Sequence, residues 1–272
     1  MKKASVIIST YNSEEWLEKV ILGYSVQTIK DFELVIADDG SRSATKEVID
    51  RYKAQADFPI VHVWQEDNGF QKSQILNKAI IAASTEYLIF SDGDCIPRND
   101  FVETHLKFRE EGYFLSGGYF MLPMNISKLI SANDIKSQKC FDVSWLIENG
   151  LKKSFKNNKL TASKFKAKIL NSLTPTKASW NGHNASGWKK DLVKINGFNQ
   201  EMQYGGQDRE LGERLQNTGL KSKQIRYSAI CVHLDHARGY VNKETWEKNN
   251  NIRKNTRNNK EVWTEKGINT NL

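Results

Sequence analysis

The chain has 272 residues, of which 39% are hydrophobic and 26% charged, so it can bury a substantial core as one large domain or two fused halves. No apolar run reaches the roughly 18 residues that a membrane-spanning helix needs. Met1-Lys2-Lys3 leads directly into strand-like sequence, without the apolar stretch of a signal peptide. The expected location is therefore the cytoplasm. Forty Lys and Arg residues against thirty-two Asp and Glu residues, a formal net charge of +8, favour an anionic partner such as a nucleotide, a nucleic acid or an acidic membrane surface.

The amino-terminal third of the chain alternates predicted strands and helices. Apolar, β-branched runs predict strands at residues 4–9, 32–37, 60–64 and 87–90. Ser13 followed by Glu14 and Glu15 predicts the start of a first helix, and further helices are expected at 43–53 and around 75–80. This alternation predicts an α/β fold with a Rossmann-like, mostly parallel sheet flanked by helices.

Two carboxylates end the strand predicted at residues 87–90. Asp92 and Asp94 are separated by Gly93, which lets the backbone turn tightly enough for both side chains to face one bound group. Ligands of parallel sheets collect at the carboxyl ends of strands, and paired oxygen ligands there suit Mg²⁺ or Mn²⁺ holding a phosphate-bearing substrate. An acidic turn without a metal is the alternative interpretation of this motif alone.

A second acidic strand end lies at Asp39, after the strand predicted at 32–37. Parallel strands place Asp39 and Asp92 at the same edge of the sheet, where a carboxylate can accept hydrogen bonds from a uracil ring or from ribose hydroxyls. The sequence has neither Gly-x-Gly-x-x-Gly after the first strand nor Gly-x-x-x-x-Gly-Lys-[Ser/Thr]. The dinucleotide-binding and P-loop classes therefore lose their main support.

The three cysteines indicate packing residues. Cys95, Cys140 and Cys231 are odd in number and far apart in the sequence. Disulfide frameworks and zinc clusters need paired or grouped cysteines, so this pattern favours reduced thiols.

The middle of the chain changes character. A helix is predicted at about 99–111 and a strand at 113–119, where Gly117 and Gly118 allow close backbone approach. Residues 121–176 then interleave many lysines with aromatic and aliphatic residues. One interpretation is a mobile helical insertion whose basic, aromatic face touches an anionic membrane or a polyanionic acceptor; the other is a solvated lysine face over ordinary core contacts.

A polar segment that begins at Trp180 suits a ligand of the size of a sugar. Aromatic faces stack on pyranose rings and amides bond hydroxyls, so Trp180 and Asn184 are candidate sugar contacts. Asp208 follows Gly205 and Gly206 at a predicted helix amino terminus, where a carboxylate stays ionised and accessible to a substrate hydroxyl, as a general base requires. The alternative is that Asp208 only caps the helix.

Strand-like sequence at residues 229–234 leads into two histidines. His233, or alternatively His236, can complete a site begun by Asp94 as a nitrogen ligand that Mn²⁺ accepts, although a lone histidine is more often structural. From residue 242 onward the Lys- and Asn-rich sequence predicts terminal helices packed on the surface.

Taken together, these segments resemble the family 2 glycosyltransferases of the GT-A fold, followed by a carboxy-terminal galactosyltransferase-type module. The first resemblance rests on Ser5-Val6-Ile7-Ile8-Ser9-Thr10-Tyr11-Asn12, Gln27-Thr28, Asp31-Phe32-Glu33-Leu34-Val35-Ile36-Ala37-Asp38-Asp39-Gly40-Ser41 and Ser91-Asp92-Gly93-Asp94. The second rests on Asn196-Gly197-Phe198 and Tyr204-Gly205-Gly206-Gln207-Asp208, and is similar to bacterial polysaccharide and chondroitin-type polymerases and animal β-1,4-galactosyltransferases.

The resemblance implies a donor-binding role for one group of residues. Ser9, Tyr11 and Asp39 would contact the uracil and ribose of a UDP-sugar. Asp92 would assist at the ribose or the metal, and Lys72 is a weaker candidate for the diphosphate.

A second group would provide metal binding and catalysis. Asp94 and His233 would bind Mn²⁺ or Mg²⁺, with His236 as the alternative to His233. Asp208 would be the catalytic base. The donor-sugar and acceptor pockets would be shaped by Trp180, Asn184, Tyr204 and Gly206.

Two positions depart from the pattern of the module. Gln207 stands where Glu commonly precedes the catalytic Asp, and His183 stands where Gly is usual. The donor sugar therefore cannot be carried over from the family.

The implied reaction is an inverting, metal-dependent transfer of a hexose or N-acetylhexosamine from a UDP-sugar to a glycan or glycolipid acceptor in cell-surface polysaccharide synthesis, either lipopolysaccharide or capsule. No nucleic acid partner is expected. A sugar nucleotidyltransferase is the alternative enzyme, but the chain lacks a glycine-rich, basic first loop for a triphosphate. A non-catalytic polysaccharide- or nucleic-acid-binding protein is the alternative outside enzymes.

The expected organisation is one GT-A domain in four segments. These are a nucleotide-sugar-binding half at 1–122, a basic helical insertion at 123–178, an acceptor and catalytic half with the metal-ligand histidine at 179–238, and a helical tail at 239–272. The expected location is the cytoplasm, with peripheral contact at the inner face of the cell membrane as a further possibility.

Overall fold

Two β-sheets organise the protein, which we describe from a computed structural model of residues 2–237 and 243–271. In chain order the strands are β1 (Ala4–Thr10), β2 (Phe32–Asp38), β3 (Ile60–Trp64), β4 (Tyr87–Asp92), β5 (Cys95–Pro97), β6 (Tyr113–Ser116), β7 (Gly118–Met121), β8 (Ala185–Trp188), β9 (Lys221–Gln224) and β10 (Ile230–His233). The α-helices are α1 (Glu14–Ser25), α2 (Ser43–Gln55), α3 (Lys72–Ala82), α4 (Phe101–Phe108), α5 (Met124–Leu129), α6 (Ala132–Lys136), α7 (Val143–Glu148), α8 (Asn158–Thr161), α9 (Lys164–Leu173), α10 (Lys189–Lys194), α11 (Gln207–Asn217) and α12 (Lys243–Asn258). Short 3-10 turns lie at Lys139–Phe141, Phe155–Asn157 and Ile268–Asn271.

The larger sheet has seven strands in the order β3-β2-β1-β4-β8-β6-β9. The first four are parallel, whereas β8 runs antiparallel to both of its neighbours. The predicted mostly parallel α/β sheet is therefore confirmed. Its register pairs Thr10 with Asp38 and Ser9 with Asp92, so the carboxyl ends of β1, β2 and β4 lie side by side at one edge.

Alternate residues of the central strands pack into two apolar cores, one on each face of the larger sheet. Val6 and Ile8 of β1 face a core that includes residues of α1, α2 and α4. Ile7, between them, faces a core that includes residues of α3, α10 and α11. Because helices cover both faces, the strands are continuous apolar runs, and the first polar side chains at their carboxyl ends are the ones that a ligand can reach.

The structure corrects the single strand predicted at residues 113–119. Its first part is β6 of the larger sheet, and after Gly117 the chain enters β7 of a second sheet with the order β5-β10-β7. Gly117 cannot carry a side chain, because an added Cβ would lie 2.0 Å from Asn184 Oδ1. The second sheet pairs His233 at the end of β10 with Cys95 at the start of β5, and so brings this histidine to the carboxylates that follow β4.

The lysine-rich segment between β7 and β8 is helical, and its two halves pack differently. Helices α5, α6 and α7 contribute Ile126, Ile135 and Leu146 to the core. The later half exposes 69% of Phe155 and 75% of Phe165. The first half therefore packs as ordinary core, whereas the second half forms an exposed basic and aromatic surface.

Helix α12 packs on α11 and holds the glycine loop that precedes α11. Asn249 Nδ2 donates to Gly205 O at 2.8 Å, and Arg253 pairs with Glu213 at 2.6 Å. Of the segment predicted as a terminal tail, residues 239–242 and 272 lie outside the described residues. Within the described ranges, no helix combines the length and the apolar character needed to cross a membrane.

Candidate active site

One cleft of about 780 Å³, which we call the central cleft, joins nearly all of the predicted site residues. It lies at the carboxyl ends of β1, β2 and β4. Of the predicted residues, its lining includes Ser9, Tyr11, Asp39, Lys72, Asp92, Asp94, Trp180, Tyr204, Gly206, Asp208 and His233. His236, the alternative metal ligand, also lines it, whereas Asn184 does not.

Asp92, at the end of β4, is neutralised by a lysine. Its Oδ1 accepts hydrogen bonds from Lys72 Nζ at 2.7 Å and from Ser9 Oγ at 2.8 Å. Burial alone would raise the pKa of Asp92, but the Lys72 charge and these hydrogen bonds hold it well below its ordinary value. Burial likewise opposes the charged form of Lys72, yet Asp92 and Asp208 raise the pKa of its ammonium. Asp92 Oδ1 is therefore already occupied by contacts with Lys72 and Ser9.

Asp94 lies instead against two histidines. His233 Nε2 is 3.6 Å from Asp94 Oδ1, and His236 Nε2 is 3.0 Å from Asp94 Oδ2. In each ring Nδ1 contacts a backbone carbonyl, that of Leu234 at 2.7 Å and that of Ala237 at 2.9 Å. A carbonyl oxygen only accepts, so Nδ1 of each ring is the donor in these contacts, and Nε2 of each ring is left facing Asp94.

This arrangement fits a divalent cation. Nitrogen lone pairs that face carboxylate oxygens repel them unless a cation or a further proton lies between. Cys95 is also close, since its ligand atom and those of Asp94 and His233 all lie within 4.8 Å of one another. Burial raises the pKa of the Cys95 thiol, which donates to Asp94 Oδ1 at 3.4 Å. With that thiol protonated, one carboxylate and two imidazoles remain, a set that Mn²⁺ accepts.

Asp208 lies in the first turn of α11. Its Oδ1 is buried and has no hydrogen-bond partner among the described residues. Burial raises the pKa of this carboxyl, with Lys72 opposing the shift and Asp92 adding to it. The N-cap of α11 is Gly206, at φ +89°, and no side chain caps the helix. The geometry therefore favours the proton acceptor over the capping interpretation of Asp208.

Gly182 makes room for Asp208. A Cβ added at Gly182 would lie 2.8 Å from Asp208 Oδ1 and 2.9 Å from Oδ2. The sequence placed Gly182 inside the candidate sugar-binding segment without a role for it. Its function, which becomes visible only in three dimensions, is to let the backbone approach this carboxylate.

Ser9, Tyr11 and Asp39 line the central cleft where β1 and β2 end. Asp39 Oδ1 accepts from Gln65 Nε2 at 2.6 Å, and Oδ2 accepts from the Gln71 amide at 2.9 Å. Burial raises the pKa of Asp39 to about 6 despite these two hydrogen bonds. Tyr11 is half exposed, and its hydroxyl donates to Asp67 Oδ2 at 2.9 Å.

Asn184 is committed to the core, which corrects its assignment as a sugar contact. It is fully buried, and its Nδ2 donates to Gly118 O at 2.9 Å and to Ala229 O at 3.0 Å. Its Oδ1 lies 3.0 Å from His105 Nε2. All of its polar atoms are thus used to hold β7 and the segment before β10 together.

Trp180 borders the central cleft, but its side chain is fully buried. The indole packs against Phe90 at 5.2 Å and Phe114 at 5.7 Å between ring centres. Gly212 allows this packing, since a Cβ there would lie 2.8 Å from Trp180 Cβ. The predicted stacking of Trp180 on a pyranose is therefore wrong, because no ring face is open to the cleft.

The loop before α11 gives the cleft its remaining wall. Tyr204 contacts Phe70 edge-on, with ring centres 5.8 Å apart. Gln207 Oε1 accepts from the Gly205 amide at 2.9 Å, so this side chain is folded back onto the loop. The Gln207 side chain, at the position where the module commonly has Glu, thus fixes the turn that precedes Asp208.

Tyr119 and His183 are parts of the site that the sequence did not identify. The Tyr119 ring lies between His183, at 4.6 Å, and His233, at 4.9 Å. Burial lowers the pKa of His183 to about 4, so this ring is neutral. The only signals in the sequence were the strand-end position of Tyr119 and the departure from Gly at His183.

The chain matches two family models. Residues 5–125 match the model described as glycosyl transferase family 2, and residues 177–237 match the one described as the N-terminal domain of galactosyltransferase. The chain is 27% identical over 267 residues to an uncharacterised glycosyltransferase of Bacillus subtilis, covering 86% of this chain and 65% of that protein. It is 27% identical over 251 residues to a chondroitin synthase of Escherichia coli, covering 84% and 34%. The chain thus spans less than two thirds of each of these relatives.

Solved structures share the fold. Staphylococcus aureus TarS 1–349 in complex with UDP-GlcNAc superposes with a TM-score of 0.60 at 17% identity, covering 92% of this chain and 65% of that one. A mannosyltransferase of Pyrobaculum calidifontis in complex with GDP-Man and Mn²⁺ gives 0.58 at 19% identity, covering 88% and 58%. The predicted GT-A fold is confirmed.

Proposed function

We propose that this chain, which matches the family 2 glycosyltransferase and galactosyltransferase models, is a glycosyltransferase that transfers a hexose or an N-acetylhexosamine from a UDP-sugar to a glycan or glycolipid acceptor. The observation that carries the proposal is the central cleft, which is lined both by Asp94 with two histidines and by Asp208, whose Oδ1 has no hydrogen-bond partner among the described residues. A metal site for a diphosphate and a base for an attacking hydroxyl are the two elements that such a transfer needs.

In this proposal, the uracil and ribose lie at the end of the cleft formed by Ser9, Tyr11 and Asp39. Asp39 offers a buried carboxylate to ring or ribose donors, and Tyr11 offers an exposed aromatic face. Lys72, held by Asp92 at 2.7 Å, provides a positive charge between the nucleotide end and Asp208. TarS, which shares the fold, was solved in complex with UDP-GlcNAc, and this supports a UDP-sugar as the donor.

Asp94, His233 and His236 would hold Mn²⁺ or Mg²⁺. A bound ion supplies charge neutralisation to the diphosphate leaving group. The protein's own contribution is to fix both Nε2 atoms toward Asp94 through the Nδ1 contacts with Leu234 and Ala237. His236, the less favoured of the two histidines in the sequence, thus joins His233 in the proposed ligand set.

Asp208 would act on the acceptor. It takes the proton of the attacking hydroxyl, whose oxygen bonds to the anomeric carbon while the UDP oxygen leaves with the bonding electrons. A single displacement of this kind inverts the anomeric configuration and gives a β-glycoside from an α-linked donor, by analogy with glycoside hydrolysis. Burial of Asp208 Oδ1 without a partner keeps one oxygen available for that proton.

The proposal is tested by donor binding and hydrolysis across a panel of UDP- and GDP-sugars, with and without Mn²⁺. We expect one UDP-sugar to be hydrolysed slowly without acceptor, and only when metal is present. Asp57→Asn is the control, since Asp57 is exposed and precedes β3, at the edge of the sheet opposite the cleft. If no nucleotide sugar binds under either condition, the chain is not a transferase of this kind.

We expect Gly182→Ala to reduce kcat at least about tenfold. The new methyl group forces the Asp208 carboxylate away from its position. A displacement of about 1 Å in a catalytic group can lower the reaction rate by about 10²-fold. Steady-state kinetics with the UDP-sugar that the panel selects would measure this effect. The KM for the donor should change less than kcat, since the nucleotide end of the cleft is not affected.

Gly219→Ala is the matched control for Gly182→Ala. Gly219 has φ +95°, and a Cβ there meets nothing within 4 Å, so the substitution strains the backbone at the far end of α11 without reaching Asp208. It should lower the melting temperature and leave kcat unchanged. Equal losses of kcat in the two variants would show that the effect of Gly182→Ala is a loss of stability.

We place this reaction in the synthesis of a bacterial cell-surface polysaccharide, either lipopolysaccharide or capsule, on the cytoplasmic side of the membrane. The support is that the relatives described above are bacterial, and that one of them is a chondroitin synthase.

Helix α9 offers a surface for peripheral contact with an anionic membrane. Phe165, Ile169 and Leu173 recur at every fourth residue and are 75%, 41% and 74% exposed. The same helix carries Lys164, Lys166 and Lys168 and has no acidic residue. An exposed apolar stripe on a basic helix is the pattern of helices that lie in a membrane interface, so we propose this role for α9.

The double variant Phe165→Ser, Leu173→Ser should bind vesicles that contain anionic phosphatidylglycerol at least about tenfold more weakly than the wild type, because it removes most of the apolar stripe. Cosedimentation with the vesicles would measure this. Ile81→Ser removes an apolar side chain that is 42% exposed from α3, outside this stripe, and should bind normally. Undiminished binding of the double variant would exclude α9 as the contact.

A further inference from the structure

A second, larger cleft of about 1400 Å³ adjoins the central cleft, and we call it the basic cleft. The two share Tyr119, Asn181, His183 and Arg209 in their linings. Its acidic lining residues, within the described part of the chain, are Glu213 and Asp235. Its basic lining residues are Lys152, Lys156, Lys159, Lys177, Arg209, Arg226, Arg253, Arg257 and Lys260.

Most of these cations have no counter-ion in the described structure. Arg253 and Arg257 pair with Glu213, at 2.6 Å and 3.5 Å. The other basic residues of the cleft form no ion pair with a described carboxylate. A concave surface that gathers like charges in this way has an unbalanced positive field, which attracts an anionic ligand.

Arg226 and Gln224 line the wall with buried polar atoms that lack partners. Arg226 Nε is a buried donor, and Gln224 Oε1 is a buried acceptor, and neither has a hydrogen-bond partner among the described residues. Leaving a buried donor or acceptor unpaired costs free energy, so their presence together indicates groups arranged for a ligand. A ligand with both an anionic oxygen and hydroxyl groups carries the acceptor and the donor that these two atoms lack.

Lys159 adds a second cation beside Arg226. Its Nζ donates to Tyr119 O at 2.6 Å, on the strand that forms the floor between the two clefts. Burial first, and then the charges of Arg226 and Lys156, lower the pKa of Lys159 to about 8. The three cations therefore lie close enough to disfavour one another, and an anion between them would relieve this repulsion.

We propose that the basic cleft binds the acceptor, and that this acceptor is a saccharide carrying an anionic group, phosphate or carboxylate, held by Arg226, Lys156 and Lys159. This inference rests on the proposed transferase function and names the substrate class of its acceptor side. The basic cleft opens onto the central cleft at His183 and Arg209, next to Asp208. An acceptor anchored by its anionic group can thus reach the proposed base with a hydroxyl.

A glycan fits this cleft better than a membrane does. The cleft is concave, and basic residues from several segments line it rather than an apolar stripe. The exposed apolar residues of α9, Phe165, Ile169 and Leu173, are not part of its lining. The two surfaces are therefore separate.

The test uses three matched probes: p-nitrophenyl β-glucoside, its 6-phosphate, and p-nitrophenyl β-glucuronide. Binding of each would be measured by calorimetry, with and without UDP and Mn²⁺. We expect one or both anionic probes to bind at least about tenfold more tightly than the neutral glucoside, since charge-assisted hydrogen bonds are the stronger ones. The stronger anionic probe identifies the natural group as phosphate or carboxylate. Equal binding of all three probes would overturn the inference.

Two variants locate the contact. Arg226→Gln and Lys156→Gln should each remove most of the preference for the anionic probe, and Lys156 is exposed, so its variant is safe for folding. Lys168→Gln makes the same change of charge on α9 outside the cleft and should retain the preference. A preference that survives both cleft variants would overturn the inference. The inference would also be overturned if Arg226→Gln bound the probes normally but no longer bound phosphatidylglycerol vesicles, because the cleft would then be a membrane contact.

The two proposals fail separately. Donor hydrolysis by the wild type without acceptor reports on the transferase, whereas probe binding without UDP reports on the basic cleft. Hydrolysis of a UDP-sugar with no anionic preference would retain the transferase and reject the anionic acceptor.

Discussion

Replacing Asp208 with asparagine should lower kcat for sugar transfer about 10³-fold while changing the Kd for the UDP-sugar less than about threefold. The amide has the shape of the carboxylate but cannot take the proton of the acceptor hydroxyl. Donor binding should be retained because the proposed donor and metal contacts, Ser9, Tyr11, Asp39 and Asp94, are unchanged. Single-turnover kinetics with saturating acceptor would measure the rate, and calorimetry would measure the Kd.

The pH dependence of the wild type gives an independent check on Asp208. Burial raises the pKa of this carboxyl, and only its deprotonated form can accept a proton. We therefore expect kcat to fall as the pH is lowered through that raised pKa, with an acid limb that disappears from the residual activity of Asp208→Asn. Residual kcat within threefold of the wild type in Asp208→Asn would exclude Asp208 as the base.

Loss of any one proposed metal ligand should weaken the apparent affinity for Mn²⁺ at least about tenfold and lower donor hydrolysis with it. The variants are Asp94→Asn, His233→Gln and His236→Gln. Asp94→Asn should have the largest effect, because it removes the anionic ligand that both Nε2 atoms face. Titration of Mn²⁺ against UDP-sugar hydrolysis, and against the paramagnetic relaxation of water, would measure the affinity with and without catalysis.

The comparison of the two histidines decides the ligand set. If His236→Gln binds Mn²⁺ as the wild type does while His233→Gln does not, the set contains His233 alone, as the resemblance implied. Asp57→Asn, on the opposite edge of the sheet, should leave both metal binding and hydrolysis unchanged. Hydrolysis by all three variants without loss of metal dependence would exclude this cluster as the metal site.

Much of the candidate site could be predicted because polar residues at strand ends have a fixed meaning in a parallel sheet. Asp39 and Asp92 are 53 residues apart in the numbering, yet the parallel register alone places both at one edge. The same reasoning did not separate the roles of Asp92 and Asp94. Only the position of Lys72 on α3, 2.7 Å from Asp92, shows that the first carboxylate is neutralised and the second faces the histidines.

The errors at Trp180 and Asn184 have a common origin. Their residue types suit a sugar, and a sequence does not show whether a side chain after a loop turns outward or inward. In the fold, Trp180 fills the space left by Gly212, and Asn184 satisfies carbonyls of Gly118 and Ala229. Burial of this kind depends on segments that are distant in the chain, so no local pattern reports it.

The sequence by itself determined the alternation of strands and helices, the acidic strand ends and the helix that begins near Asp208, because hydrophobic period and turn chemistry are local properties. Only the tertiary structure decided which polar groups share a space: Gly182 beneath Asp208, His236 with His233, and Arg226 with Lys159. Those pairings depend on how the second sheet, the lysine-rich segment and α12 pack against the first sheet. Long-range packing brings together residues whose sequence neighbours give no sign of it.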